Sequence, residues 1–195
     1  MTSEKIIDIL KNGKIHLSCE LFPPKQGAEL ANSLEIVNQI AASKPSYMSV
    51  TYGAGGSTVG YSAALAKKVQ DNGMPALAHL TCVKADEAKL AEVLGQLQGF
   101  GVKNILALRG DIPADMQGEE IGSFAHASEL MRFVKQQGDF CVGGAAYPEG
   151  HPESGSLEND IENTKYKVDA GVDFLVTQMF FDNTILYNYM FRLLR

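Results

Sequence analysis

Six short apolar runs alternate with six longer segments whose apolar residues recur at helical spacing, and this alternation constrains the fold more than any other feature. The apolar runs span residues 15–22, 47–51, 76–82, 104–108, 140–145 and 173–178. The helical segments follow them at about residues 28–41, 58–72, 90–97, 124–137, 157–171 and 184–195. Strands that alternate regularly with helices are typical of a parallel sheet. The sequence therefore predicts six consecutive βα units, with no low-complexity linker between them.

Two architectures fit this pattern, an open doubly wound sheet and a closed (β/α)8 barrel. Candidate chemical groups follow every predicted strand, at Glu20, Thr51, His79, Arg109, Gly110, Asp111, Tyr147 and Gln178. An open sheet concentrates its site at one switch point, whereas a barrel gathers the carboxyl ends of all its strands around one mouth. This distribution favours an α/β chain of the TIM-barrel type. Because a whole barrel has eight units and about 250 residues, we expect residues 1–195 to form one domain, a (β/α)8 barrel truncated after its sixth βα unit.

The composition excludes several classes of partner. The 17 basic and 23 acidic residues leave a net charge of −6, which argues against a nucleic acid or an anionic membrane as a partner. No apolar run approaches the roughly 20 residues needed to span a bilayer, and the first ten residues do not resemble a secretory signal. Cys19, Cys82 and Cys141 are odd in number and far apart, so we expect no disulfide framework. These features predict a reduced, cytoplasmic protein.

Glu20 lies within the first apolar run. Burial there would desolvate the carboxylate and raise its pKa, which suits a general acid near neutral pH. The alternative is a structural glutamate paired with Lys25 or Arg109.

The glycine-rich segment 51–58 and the sequence at 109–111 each allow two interpretations. Glycines let a backbone approach a ligand, and a following helix N-terminus favours an anion, but the spacing fits neither the dinucleotide fingerprint nor a P-loop. A plain tight turn is as good an interpretation. Arg109 and Asp111 supply a donor fork and an acceptor for a polar heterocycle, or a salt bridge that stiffens their loop.

Residues 147–153 place Tyr147, His151 and two carboxylates between prolines. Without a zinc-type spacing of His or Cys, we expect no metal site, and a rigid loop that stacks an aromatic ring on a ligand fits better. Asp160, Asn163 and Lys167 share one helix face, for which a solvated surface is the default interpretation. The Gln178 side chain can both donate to and accept from an amide-like ring edge.

Taken together, six ordered blocks resemble methylenetetrahydrofolate reductase. The blocks are 20–25 (ELFPPK), 50–58 (VTYGAGGST), 79–82 (HLTC), 108–111 (LRGD), 146–153 (AYPEGHPE) and 167–178 (KVDAGVDFLVTQ). The resemblance covers about residues 15–182. It implies a (β/α)8 barrel that holds FAD at its mouth and reduces 5,10-methylenetetrahydrofolate to 5-methyltetrahydrofolate, commonly with NAD(P)H as electron donor. This reaction belongs to one-carbon metabolism and methionine biosynthesis.

The resemblance also implies roles for individual residues. Glu20 matches the acid that assists opening of the folate ring to an iminium, Asp111 matches a carboxylate near flavin and folate, and Gln178 matches a folate contact. The positions that match FAD contacts are Thr51, Tyr52, Ala54, His79, Arg109, Gly110, Asp111, Ala127, Tyr147, His151, Asp160, Asn163 and Lys167. The resemblance thus implies that the polar stripe on the last long helix faces FAD rather than solvent.

Members of the family continue for two further βα units, so the resemblance supports FAD binding better than turnover. A flavin-binding fragment without turnover is the alternative function, and a barrel lyase acting on a phosphorylated substrate is disfavoured because its phosphate site uses the loops after strands 7 and 8. Open edges near Cys19 and Val176 would invite pairing with another chain. We therefore expect a homo-oligomer.

Overall fold

The computed structural model describes residues 4–52, 59–112 and 122–195. Its strands are β1 (Ser18–Leu21), β2 (Tyr47–Val50), β3 (Ala76–Thr81), β4 (Asn104–Leu108), β5 (Cys141–Ala146) and β6 (Phe174–Thr177). Its α-helices are α1 (Ile6–Leu10), α2 (Leu30–Ala41), α3 (Val59–Asp71), α4 (Glu87–Gly99), α5 (Ala127–Gln137), α6 (Leu157–Asp169) and α7 (Asn183–Leu193). Short 3-10 helices at Gly27–Glu29 and Pro152–Ser154 precede α2 and α6.

The six strands form one parallel sheet in the order β1-β2-β3-β4-β5-β6. Each strand therefore pairs with its neighbours in the sequence, which is the order of a barrel, and the strand order shows no reversal of the kind that creates a switch point in a doubly wound sheet. The predicted architecture is confirmed: the chain forms six consecutive units of the (β/α)8 TIM-barrel type.

Alternate residues of the strands enter two separate apolar layers. Ala78 and Leu80 of β3 belong to the larger cluster, which includes Leu90 and Leu94 of α4. Leu77, the neighbour of Ala78 in the same strand, belongs to a second cluster on the opposite face of the sheet. Because side chains alternate across a strand, the first layer lies between sheet and helices and the second lies on the inner face of the barrel.

Helix α1 covers the amino-terminal end of that inner face. Ile6 is fully buried against Leu77, Leu106 and Phe174. Asn104, at the start of β4, fixes the helix, because its Oδ1 accepts the Ile6 N–H (2.8 Å) and its Nδ2 donates to the Glu4 carbonyl (3.2 Å). The sequence pattern predicted no element for these residues.

Several predicted boundaries differ from the observed ones, and the structure explains two of these differences. The first strand is four residues long, because the register with β2 begins at Ser18 paired with Tyr47, and Ile15 and Leu17 are exposed. Helix α5 begins at Ala127 rather than near residue 124, because the Glu129 carboxylate accepts the backbone N–H groups of Ala125 and His126 (2.8 and 3.2 Å), the latter in extended conformation. Within the described ranges, no helix has the length and apolarity required to cross a membrane.

Candidate functional site

A cavity of about 590 Å³ lies at the carboxyl ends of the central strands. Its wall combines the ends of β3, β4 and β5, the loops that follow them, the first turn of α5 and one face of α6. Ten residues that the resemblance assigns to FAD line it, namely Tyr52, Arg109, Gly110, Asp111, Ala127, Tyr147, His151, Asp160, Asn163 and Lys167. The fold thus brings together residues that are up to 115 positions apart (from 52 to 167).

The other described candidates lie elsewhere. Thr51 follows β2, and its backbone N–H donates to the Leu21 carbonyl (2.9 Å). Gln178 is exposed after β6, Glu20 and His79 contact each other on the inner face, and Ala54 lies outside the described residues. Thr51, Gln178, Glu20 and His79 are not part of the cavity wall.

The loop after β4 contributes a glycine in the left-handed region of backbone conformation and a paired arginine. Gly110 has φ +88°, and a Cβ there would lie 3.1 Å from the Thr81 Cβ, so both backbone and space favour glycine. The Arg109 guanidinium donates two parallel hydrogen bonds to the Glu153 carboxylate (2.6 and 2.9 Å). This pairing raises the pKa of Arg109 and lowers the pKa of Glu153. The stiffening salt bridge considered for Arg109 is therefore present, and Arg109 still lines the cavity.

The loop after β5 presents an aromatic ring to the cavity. The rings of Tyr147 and His151 meet edge to face, with centroids 4.6 Å apart, and the Lys167 Nζ lies 5.7 Å from the Tyr147 ring centroid. Burial raises the pKa of the Tyr147 phenol. His151 Nδ1 accepts the Glu153 N–H (3.1 Å), which in a neutral ring leaves the proton on Nε2.

Helix α6 places its polar stripe in the cavity wall, so the default interpretation as a solvated face is wrong for its two charged members. Asp160 is 3% exposed; its Oδ1 accepts from the Ser154 hydroxyl (3.0 Å), while its Oδ2 has no hydrogen-bond partner among the described residues. Lys167 Nζ donates to the Ala145 carbonyl (2.7 Å). Burial lowers the pKa of Lys167, against the opposing attraction of Asp160. A buried acceptor without a donor is costly, and a ligand hydroxyl would satisfy it.

Helix α5 begins at the cavity wall with Ala127 and Ser128. The first N–H groups of a helix have no partner within the helix, and together with the helix dipole they attract anions. His126 precedes them in the wall. This end of the cavity therefore suits a phosphate group.

Glu20 does not have the environment predicted for it. Its side chain is 47% exposed, because β1 pairs with β2 alone among the described strands, so the expectation of a desolvated carboxylate is wrong. Glu20 Oε2 accepts from the Ser49 hydroxyl (3.1 Å) and lies 3.5 Å from His79 Nε2. Burial lowers the pKa of His79, and the Glu20 carboxylate opposes that change.

Several residues of the wall were not predicted from the sequence, among them His126, Ser128, Glu153, Ser154 and Tyr166. Glu153 belongs to the segment 146–153 that resembles the family. Tyr166 lies three positions after Asn163, so helical spacing could have identified it. Within the described ranges, no group of three or more His, Cys, Asp or Glu side chains could hold a metal ion.

Comparison with known proteins identifies relatives over nearly the whole chain. The family model described as methylenetetrahydrofolate reductase matches residues 5–194. Methylenetetrahydrofolate reductase 2 of Schizosaccharomyces pombe is 41% identical over 189 residues, which is 91% of this chain and 30% of that protein. The 5,10-methylenetetrahydrofolate reductase of Escherichia coli is 36% identical over 171 residues, which is 87% of this chain and 56% of that protein. The chain thus spans about a third to a half of the length of these relatives.

Two solved structures share the fold at low identity. An uncharacterised Clostridium thermocellum protein that binds two copies of 5-methyl-5,6,7,8-tetrahydrofolic acid gives a TM-score of 0.66 at 14% identity, covering 96% of this chain and 62% of that one. Phosphonopyruvate hydrolase in complex with oxalate and Mg²⁺ gives a TM-score of 0.65 at 11% identity, covering 94% and 65%. At such identities the likeness concerns the fold alone.

Proposed function

The chain belongs to the methylenetetrahydrofolate reductase family, and from that premise we propose that it is an FAD-dependent oxidoreductase of one-carbon metabolism. The proposed reaction is the reduction of 5,10-methylenetetrahydrofolate to 5-methyltetrahydrofolate with NAD(P)H as electron donor. The names of the relatives support the reaction, and the chemistry of the cavity supports the cofactor. The cysteine usage supports a cytoplasmic location, where the reaction would serve methionine biosynthesis.

One observation supports the assignment of the cofactor: the cavity wall combines a buried acceptor that lacks a hydrogen-bond donor with positively charged side chains. Asp160 Oδ2 lacks a donor among the described residues, while Lys167 and Arg109 line the same cavity. A flavin dinucleotide carries hydroxyl groups and a diphosphate, which are the donors and the anion that such a wall would bind. The volume of about 590 Å³ falls in the ordinary range for ligand sites. The residues present therefore fit FAD.

Each part of the wall has a proposed task. Asp160 would accept a hydrogen bond from a hydroxyl group of FAD, and Lys167 and the first turn of α5 would neutralise the diphosphate. Gly110 would let the backbone after β4 pass close to the flat ring system, beside Asp111. When bound, FAD would accept hydride from the nicotinamide and donate it to the folate.

Glu20 would supply the proton for opening the folate ring. Its exposed carboxyl group is accessible to a substrate that enters the inner face of the barrel. Asp111, at the cavity wall, would stabilise positive charge on the folate, and Gln178, exposed after β6, would bind the amide-like edge of the pterin.

Stopped-flow measurement of the two half-reactions tests this proposal. Glu20→Gln keeps the shape of the side chain but cannot deliver a carboxylic-acid proton, and positioned acids contribute about 10²–10⁴-fold in rate. We expect reduction of bound FAD by NADH or NADPH at the wild-type rate, and reoxidation by methylenetetrahydrofolate slowed by about 10²-fold or more. Glu162→Gln, on the exposed side of α6, is the matched control. A wild-type protein that binds FAD but is never reoxidised by the folate would contradict the proposed reaction and leave only flavin binding.

A further inference from the structure

The inner face of the first three strands carries a polar cluster that is separate from the cavity wall: Glu20 of β1, Ser49 of β2 and His79 of β3. Glu20 is in register with Ser49, and Ser49 is in register with Leu77, two residues before His79. The three side chains therefore project from the same face of adjacent strands. Their contacts meet at one atom, since the Ser49 hydroxyl donates to Glu20 Oε2 (3.1 Å) and His79 Nε2 lies 3.5 Å from the same oxygen.

Burial within the cluster is uneven. Ser49 is 7% exposed and the His79 side chain 10%, whereas the Glu20 side chain is 47% exposed. His79 Nε2 is buried and has no hydrogen-bond partner in the part of the chain that the structure describes. Its contact with Glu20 is about half an ångström longer than a good hydrogen bond, and catalytic hydrogen bonds are often long before the substrate binds. Ser49 and His79 thus hold Glu20 Oε2 on the buried side of the cluster.

We infer that Ser49 and His79 are positioning residues that hold Glu20 Oε2, so that Glu20 Oε1 presents the proton to the folate. This inference rests on the proposed function. In the step, the O–H bond at Oε1 breaks and an N–H bond forms at the ring nitrogen of the folate. The carbon–nitrogen bond breaks with its electron pair going to that nitrogen. The products are an iminium cation and a Glu20 carboxylate, which the Ser49 O–H and the His79 Nε2–H stabilise.

The electrostatics of His79 agree with this arrangement. Burial lowers the pKa of the imidazole, which favours the neutral ring, and a neutral ring carries one N–H donor. Glu20 is the charged group that acts on His79 among the described residues. The resemblance assigns His79 to FAD instead, and the two roles predict different kinetic results.

Half-reactions of the FAD-loaded protein separate those roles. Loss of a hydrogen bond to a charged group costs about 10- to 100-fold, so Ser49→Ala should slow reoxidation by methylenetetrahydrofolate about 10-fold or more while reduction of the flavin by NAD(P)H is unchanged. In a Glu20→Gln background, Ser49→Ala should add no further loss, because the two side chains act as one unit.

His79→Gln, which keeps a donor, should retain more of the folate half-reaction than His79→Leu. Ser33→Ala in α2, whose hydroxyl donates to the Glu29 carbonyl (3.1 Å), is the control.

A second measurement does not depend on turnover. NMR titration of the four histidines should show a lower pKa for His79 in Glu20→Gln than in the wild type, because the carboxylate that raises it is removed. An identical His79 titration in both proteins would overturn the inference. So would a wild-type folate half-reaction in Ser49→Ala, or a loss of flavin reduction in His79→Leu equal to its loss of reoxidation. If the folate never reoxidises the reduced wild-type protein, the proposed function fails and this inference is overturned with it. The absorption spectrum of FAD identifies that outcome, because the bound flavin then stays reduced after the folate is added.

Discussion

Asp160 keeps one carboxylate oxygen buried in the cavity wall without a donor among the described residues. The polar groups around it, at the start of α6, are otherwise well paired. Ser156 caps α6 by accepting the Asn159 N–H (3.1 Å), and the Ser154 hydroxyl satisfies only Asp160 Oδ1. A buried acceptor that lacks a partner costs about 1–3 kcal/mol. Because a ligand hydroxyl would remove that cost, we expect Asp160 to contribute more to binding than to the stability of the unliganded protein.

Asp160→Asn tests the role of that oxygen. The amide offers one acceptor fewer, and it places N–H groups where an acceptor is needed. We expect the Kd for FAD to rise about 10-fold or more, because the ligand hydroxyl loses its acceptor. Asp169→Asn, at the exposed end of the same helix, is the matched control. Equal FAD affinities for Asp160→Asn and Asp169→Asn, measured by quenching of flavin fluorescence, would show that Asp160 does not touch the ligand.

Individual residues also show which properties of the site the sequence alone could not predict. Spacing predicted that Asp160, Asn163 and Lys167 share a helix face, but spacing cannot say whether that face meets solvent or another element. The contact between Lys167 Nζ and the Ala145 carbonyl decides the matter, and it depends on how α6 packs on β5. For Glu20 the apolar neighbours in sequence predicted burial, but exposure depends on its place at the edge of the sheet.

Strand β5 shows how an element accommodates neighbours on both of its faces. A Cβ on Gly143 would lie 2.6 Å from Phe174 Cζ on the inner face, and a Cβ on Gly144 would lie 2.7 Å from Met131 Cε on the helix side. The two glycines therefore let Phe174 fill the inner layer and let α5 pack close to the sheet. In this strand, glycine serves close packing rather than a turn.

Gly143→Ala should consequently overpack the inner layer. The ring of Phe174 cannot yield as a flexible chain end would, so we expect a loss of about 1–3 kcal/mol in the free energy of unfolding, measured by urea denaturation. Gly95→Ala provides the opposite case, since Gly95 lies in α4 and a Cβ added there would meet nothing within 4 Å. That variant should gain about 0.5–1 kcal/mol from helix propensity. A Gly143→Ala protein as stable as the wild type would mean that β5 and β6 are packed loosely enough to admit a methyl group.

The elements themselves were largely predictable, because hydrophobic period and length separate strands from helices. All six strands and the six helices that follow them were predicted, with errors at their ends. Helix α1 was not, because its five residues have too little local preference to form a helix alone. It forms through long-range contacts of Ile6 and Asn104, which no local pattern reveals.

At the scale of the whole molecule, the strand order was predictable from the positions of the polar residues, since only a barrel brings every strand end to one mouth. The cavity was not predictable from the residues alone. Its wall depends on the register of β3, β4 and β5 and on the placement of α5 and α6. The resemblance identified ten of its residues, whereas Ser128 and Ser154 became evident only from the fold.

The edges of the sheet make a further prediction for a polypeptide of these 195 residues. Within the described strands, β1 and β6 each pair on one side, and Phe22 and Val176 near those edges are 74% and 37% exposed. Unpaired edges beside apolar side chains recruit other strands. We expect self-association that increases with concentration, as measured by sedimentation velocity. A monomer at every concentration would show that the edges are protected.

Titration of the purified protein with FAD tests most directly the central claim, that the cavity between the carboxyl ends of the strands is a flavin site. The visible absorption band and the fluorescence of the flavin report binding without any need for turnover. We predict saturable binding of one FAD per chain, with perturbed absorption, quenched fluorescence and a weaker affinity in Asp160→Asn. A flavin spectrum that stays that of free FAD in the presence of excess folded protein would contradict that claim.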